Sequence, residues 1–129
     1  MKKDIAFPKI ENVFIAIAKD EEQWKVYLLN RTEDLLETVM VTSKGYGVKE
    51  GKEQKTSVLR HMIPHLEKSE YALIEPIDES VFHLNNEYWV SFFIDGQLYD
   101  KKYIFVPETI IQDNLNFVPE LELQGVLHQ

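Results

Sequence analysis

Apolar and polar positions alternate over short stretches along most of this chain, and charged or turn-forming clusters interrupt the alternation. That pattern marks antiparallel strands joined by tight connections. Residues 13–19 are rich in aliphatic side chains, Asp20, Glu21, Glu22 and Gln23 interrupt them, and residues 24–30 resume the apolar pattern. This predicts a hairpin. In its second arm Trp24, Val26 and Leu28 alternate with Lys25, Tyr27 and Leu29, giving one clearly buried face and one mixed face. Residues 31–37 read as a charged connection and 38–43 as a short β-branched strand. Residues 44–53, with three of the five glycines, read as a loop.

Residues 56–69 admit two readings. Val58, Leu59, Met62, Ile63 and Leu66 fall on one helical stripe behind Thr56 or Ser57 as a candidate N-cap. Pro64 opposes the helix, because it has no N–H to donate and its ring would clash with the carbonyl of Arg60, at a cost of about 3 kcal/mol. Proline is tolerated on an edge strand, which tips the balance toward a strand or irregular edge.

Residues 71–77 read as extended, and 78–84 as a place for one short helical turn begun by Asp78. Residues 87–94 and 97–106 are two long β-prone runs separated by Asp95-Gly96, whose backbone suits the positive φ angles of a type I′ turn. A two-residue turn there places Phe92 opposite Tyr99 and Tyr88 opposite Tyr103, with Trp89 opposite Lys102 and Ser91 opposite Asp100 on the other face. Aromatic cross-strand pairs of this kind contribute about 0.2–1 kcal/mol each beyond alanine pairs. Past Pro107 the pattern weakens, with 108–115 a candidate short helix and 117–129 a tail with intermittent apolar anchors.

About seven short strands in roughly 100 residues is the signature of a two-sheet sandwich. The expected fold is therefore all-β, mainly antiparallel, an immunoglobulin-like β-sandwich. The alternative is an α+β fold with a helix near 57–68. Residues 1–129 form a single domain in this reading, with a C-terminal extension from about 107.

The segment Leu84-Asn85-Asn86-Glu87-Tyr88-Trp89-Val90 resembles the corner of immunoglobulin-like and fibronectin type III-like domains, where a leucine precedes a turn and a tyrosine opens the next strand. The resemblance implies that the Tyr88 hydroxyl bonds to backbone upstream, a structural role. The glycine or proline usual in that turn is replaced by Asn85 and Asn86. Over its whole length the chain is also similar to a family of short bacterial single-domain proteins of no assigned activity, with KGYG, KTSVLRH, EPID, NNEYWVSF, YDKK and GVLH segments in this order. A phenylalanyl-tRNA synthetase label on such sequences would imply a long catalytic domain with ATP-binding arginines in set motifs, and this chain has neither.

Length and composition narrow the classes of partner. A chain of 129 residues suits one domain, and at that size roughly two-thirds of the unfolded surface can be buried. A net charge of −8 disfavours duplex nucleic acid and anionic membranes, because repulsion opposes the counterion release that drives such binding. Cysteine is absent, so there are no disulfides and no thiolate chemistry, which fits a cytoplasmic location. The start, MKKDIAFPKI, lacks the apolar core of a secretory signal, and the longest wholly apolar run, 13–18, is too short to cross a bilayer. No membrane partner is expected.

Candidate chemistry is sparse. Gly45, Gly47, Gly51 and Lys52 invite a phosphate-loop reading, but the spacing to Gly51-Lys52 is three or five residues where four are required, and Glu53 follows in place of Ser or Thr. The dinucleotide fingerprint fails by one extra residue and by the lack of a following helix. His61 and His65 are four apart, yet Pro64 spoils the helix that would bring them together. On a strand they would share a face about 13 Å apart. Neither a metal site nor a cofactor is therefore expected. Ser57 near His61 lacks the GxSxG elbow of acyl-transfer enzymes. The carboxylates Asp20, Glu21, Glu22, Glu75, Asp78 and Glu79 have no defined spatial pairing in the sequence.

One stretch stands out by charge. Lys44, Lys49, Lys52, Lys55 and Arg60, against Glu50 and Glu53, give residues 44–60 a charge of +3 and leave −11 for the rest. With Tyr46 among them, these cations are the candidate partner-binding residues, since an aromatic set among cations suits an acidic partner or a single strand of nucleic acid. The expectation is a non-enzymatic protein-binding or assembly module that acts through this loop or a sheet edge, with self-association as another possibility. The alternative is a small-molecule carrier or small enzyme with a pocket lined by Trp24, Tyr88, Trp89, Phe92, Tyr99 and Tyr103.

Overall fold

The computed structural model describes residues 10–128, so the leader reading at residues 1–9 lies outside the described residues. Among the described residues ten strands form two antiparallel sheets: β1 Val13–Asp20, β2 Gln23–Asn30, β3 Leu36–Lys49, β4 Lys52–Lys55, β5 Leu59–Leu66, β6 Tyr71–Ile77, β7 Asn85–Ile94, β8 Gln97–Phe105, β9 Asn116–Val118 and β10 Leu123–His128. One sheet runs β6-β2-β1-β10-β9. The other runs β4-β3-β7-β8, with β5 also on β3, so that β4 and β5 make one interrupted edge. No helix among the described residues is long and apolar enough to cross a membrane.

The all-β reading holds, and so does the sandwich. Omitting β4, β9 and β10, the first, second and fifth strands share one sheet while the fourth, third, sixth and seventh share the other. That is the immunoglobulin constant-type order, except that the fourth strand pairs with the third instead of joining the first sheet. The helix near 57–68 does not form: β5 is an edge strand, and Pro64 sits exposed on it, where no ladder bond is lost.

The β7–β8 hairpin has the expected register at every named pair: Phe92 with Tyr99, Tyr88 with Tyr103, Trp89 with Lys102 and Ser91 with Asp100. Asp95 and Gly96 take φ values of 48° and 79°, as a type I′ turn requires. Asp78 caps a 3₁₀ turn at Glu79–Val81, its carboxylate accepting from the Ser80 N–H at 2.8 Å.

Three segments depart from expectation. Residues 44–53 are a hairpin and not a loop: β3 continues to Lys49 and reverses through Glu50-Gly51, with φ of 52° and 76°, into β4. Of the glycines that looked like loop residues, Gly51 makes the turn, while Gly45 and Gly47 serve close packing. A Cβ on Gly45 would lie 2.9 Å from the Thr56 methyl, and Thr56 bridges the gap between β4 and β5 by accepting from the Gly45 N–H at 2.7 Å. The candidate helix at 108–115 shrinks to a 3₁₀ turn at Gln112–Asn114. The supposed tail supplies β9 and β10, and β10 lies inside its sheet, paired from Ile15–His128 to Ala18–Gly125.

The main core lies between the sheets. It is built from the inward positions of β1, β2, β3, β7 and β8, including Ile15, Ile17, Val26, Leu28, Val39, Val41, Tyr88, Val90, Phe92 and Tyr103. The Tyr103 hydroxyl ties the sheets together by donating to the Val13 carbonyl at 2.6 Å. A second, smaller core covers the outer face of the β1-containing sheet. Phe14, Ala16, Ala18, Tyr27 and Leu29 pack there under Val118, with Leu121 and Leu123 against them. An ion pair closes its rim: Arg31 Nε and a terminal nitrogen reach the two Glu120 oxygens at 2.5 and 2.9 Å, and the guanidinium lies 4.9 Å from the Phe14 ring centroid.

Candidate functional site

The outer face of the other sheet is built differently. Strand registers place Arg60, Thr42, Trp89 and Lys102 in one row across β5, β3, β7 and β8. The neighbouring row is Met62, Met40, Ser91 and Asp100. Met62, Met40 and Trp89 are 65%, 42% and 45% exposed, and no described segment crosses over them. Lys102 Nζ stands 5.1 Å from the Trp89 ring. Alternation puts every second residue of β3 on this face, so Met40, Thr42, Lys44 and Tyr46 follow one another along it.

Toward the hairpin end, Lys44 pairs with Glu87 at 3.8 Å, and the Tyr46 hydroxyl donates to the same carboxylate at 3.1 Å. Partial burial and the Glu87 charge both raise the Tyr46 phenol above its ordinary pKa. Beside this cluster a cleft of about 480 Å³ is lined by Lys44, Tyr46, Lys55, Thr56, Val58 and Glu87.

The six candidate partner-binding residues therefore divide. Lys44, Tyr46, Lys55 and Arg60 share the outer face with Trp89. Lys49 and Lys52 are opposed next to the Glu50-Gly51 turn, and alternation turns them to the other side of the hairpin. Lys55 is drawn to Glu53 at 3.6 Å. The residues missed by the basic-segment reading are Met40, Met62, Trp89 and Lys102. For Trp89 and Lys102 the signal was in the sequence as the mixed face of the 87–106 hairpin, and Met40 and Met62 joined them only once β3 paired with both β5 and β7.

The six aromatics of the alternative reading do not line one pocket. Trp89 is on the outer face, whereas Tyr88 packs edge-on to Phe105, Phe92 stacks on Tyr99, Trp24 meets Phe82 edge-on and Tyr103 lies against His128. The Trp24 indole N–H is buried without a partner among the described residues, beside a cleft of about 710 Å³ whose walls include Asp20, Glu21, Glu22, Asp78 and Glu79.

A polar cluster bridges the sheets at their β5 and β6 edges. Glu75 Oε1 on β6 accepts from the Ser43 hydroxyl at 2.9 Å and lies 2.6 Å from His61 Nε2. The carboxylate stands between serine and imidazole, so His61 is not placed to take the serine proton, and this is no acyl-transfer triad. His61 and His65 do not share a face as a regular strand would require: Leu66 turns inward beside an exposed His65, where β3 carries an irregularity at Thr38 with φ 47°. No group of three metal-ligating side chains occurs among the described residues. The Tyr88 hydroxyl does not make the upstream backbone bond that the corner resemblance implied. It has no hydrogen-bond partner among the described residues, although Tyr88 is only 2% exposed.

The fold is thus an antiparallel two-sheet sandwich with one sheet face that no described segment covers. Comparison with family models, with curated proteins and with solved structures gives no match to the chain.

Proposed function

We propose that the protein is a non-enzymatic binding module that docks a protein partner on the outer face of the β5-β3-β7-β8 sheet, with Trp89 at the centre. The carrying observation is the exposed set Met62, Met40 and Trp89 in adjoining rows, the Trp89 row ended by Arg60 and Lys102 and the methionine row by Asp100. Exposed tryptophan, methionine and arginine are the side chains enriched at interface centres. The complementary partner carries apolar side chains ringed by carboxylates. Arg60 and Lys102 act on it within the roughly 8 Å Debye length of physiological salt, beyond which the net negative charge elsewhere is screened.

A heterologous partner is favoured over a second copy, because two molecules of charge −8 repel on approach. Strand addition at the neighbouring edges is disfavoured. Pro64 interrupts β5, while β6 carries Pro76 and a register shift opposite Val26/Tyr27, features that guard an edge against pairing. The absence of cysteine fits action in the cytoplasm.

The test is affinity capture with the native chain alongside Trp89→Ser and Met40→Ser variants. Proteins retained by the native chain and lost with both variants support the reading. A capture profile unchanged by both variants, or a concentration-dependent dimer lost with Trp89→Ser, would replace it.

A further inference from the structure

Between the sheets, on the side where β6 faces β3, lies a cleft of about 290 Å³ lined by Ser43, Glu75, Asp78 and Tyr88 among others. Ser43 and Tyr88 are direct cross-strand neighbours on β3 and β7, so their side chains point the same way, inward. Glu75 reaches them from β6 in the opposite sheet. The Ser43 hydroxyl spends its proton on Glu75, leaving its oxygen lone pairs as acceptors. Glu75 Oε2 has no partner among the described residues. The Tyr88 hydroxyl is likewise unpaired, and it is close enough to Glu75 to feel its charge. Burial first and Glu75 second push the phenol far above its ordinary pKa, so it stays neutral and its oxygen can accept.

The Tyr88 side chain is 2% exposed, and its hydroxyl is the part that opens onto the cleft. Here three acceptors converge on one cleft, one of them a carboxylate. The wall continues through Pro76, Ile77 and Asp78 into the larger cleft that carries Asp20, Glu21, Glu22 and Glu79. The nearby basic side chains are already engaged: Lys25 with Asp20, Lys44 with Glu87, Lys19 over the Trp24 ring, and His61 with Glu75 Oε1, which leaves Oε2 for a ligand.

We infer that this cleft binds a primary ammonium group, whose three N–H donors match the Glu75 carboxylate, the Ser43 hydroxyl oxygen and the Tyr88 phenol oxygen. Such a group has three donors and no acceptor, the complement of this set. Its source is either a free polyamine, whose further charges would run into the adjoining acidic cleft, or a lysine side chain of a peptide. The site is independent of the Trp89 face.

The experiment is a nuclear magnetic resonance titration of the native chain with putrescine, spermidine and Nα-acetyl-lysine-methylamide. The expected result is saturable shifts centred on the Ser43, Glu75 and Tyr88 amides. Spermidine binding most tightly identifies the polyamine source, and the blocked lysine binding most tightly identifies the peptide source. Tyr88→Phe, which keeps the ring packing, should weaken the preferred amine about fivefold, the scale of one neutral hydrogen bond. Glu75→Gln should weaken it more than tenfold, because a charge-assisted bond is lost. The far-ultraviolet circular dichroism of both variants should match the native chain. Shifts that never saturate, or native affinity in both folded variants, would overturn the inference.

Discussion

The two outer faces of this sandwich begin from similar strands and end differently. On the β1-containing sheet the outward positions are Phe14, Ala16, Ala18, Tyr27 and Leu29, and the chain returns after β8 to lay Val118, Leu121 and Leu123 over them. On the β3-containing sheet the outward positions include Met40, Met62 and Trp89, and no described segment returns to cover them. Apolar surface that the chain seals itself contributes to folding at roughly 25 cal/mol per Å². Apolar surface left open contributes little to folding and is available to a partner. The face is therefore a better guide to function here than any motif.

Disrupting the seal should give the largest effect. Val118→Asp places a carboxylate in the second core without a partner and should cost about 3–5 kcal/mol, read as a lower urea midpoint, or prevent folding. A loss below about 1 kcal/mol would mean that the β9 segment does not close that face.

A smaller effect is expected at the rim. Glu120→Gln removes the charge from the pair with Arg31 and should cost about 1–2 kcal/mol at neutral pH. The Arg31 bond holds the Glu120 carboxyl below its ordinary pKa. Its contribution is therefore complete above the unfolded-state value, about 4.3, and is lost as pH falls through the folded-state value. Stability of native and Glu120→Gln proteins should converge below that range, and a difference that stays constant into acid would contradict the assignment.

The smallest effect belongs to the open face. Met62→Ser should change stability by no more than about 0.5 kcal/mol, as exposed substitutions do. A loss of 2 kcal/mol would show that this methionine is packed.

Where the sequence was informative, the information was local. Asp95-Gly96 encodes its own turn, so the register of β7 and β8 follows from the two flanking runs. Pro64 weighs against a helix by its missing N–H, a cost that acts at the residue itself. The C-terminal half of β3 was hidden because Lys44, Gly45, Gly47 and Lys49 have low strand propensity, and only pairing with β4 and with β7 holds them extended. Strand β10 was hidden for a similar reason: it has six residues, and its partner β1 lies more than a hundred positions earlier. The basic segment was visible as charge, but the division of its lysines between two faces depends on register. The cluster of Ser43, Glu75 and His61 comes from three strands and two sheets, and no spacing along the chain announces it.

The most direct test of the account compares two aromatic truncations by urea unfolding. Phe14→Ala, under the sealed face, should lose about 3–5 kcal/mol. Trp89→Ala, on the open face, should lose no more than about 1 kcal/mol, chiefly its contact with Lys102. Equal losses of several kcal/mol at both positions would contradict the claim that one face of this sandwich is closed and the other is open for a partner.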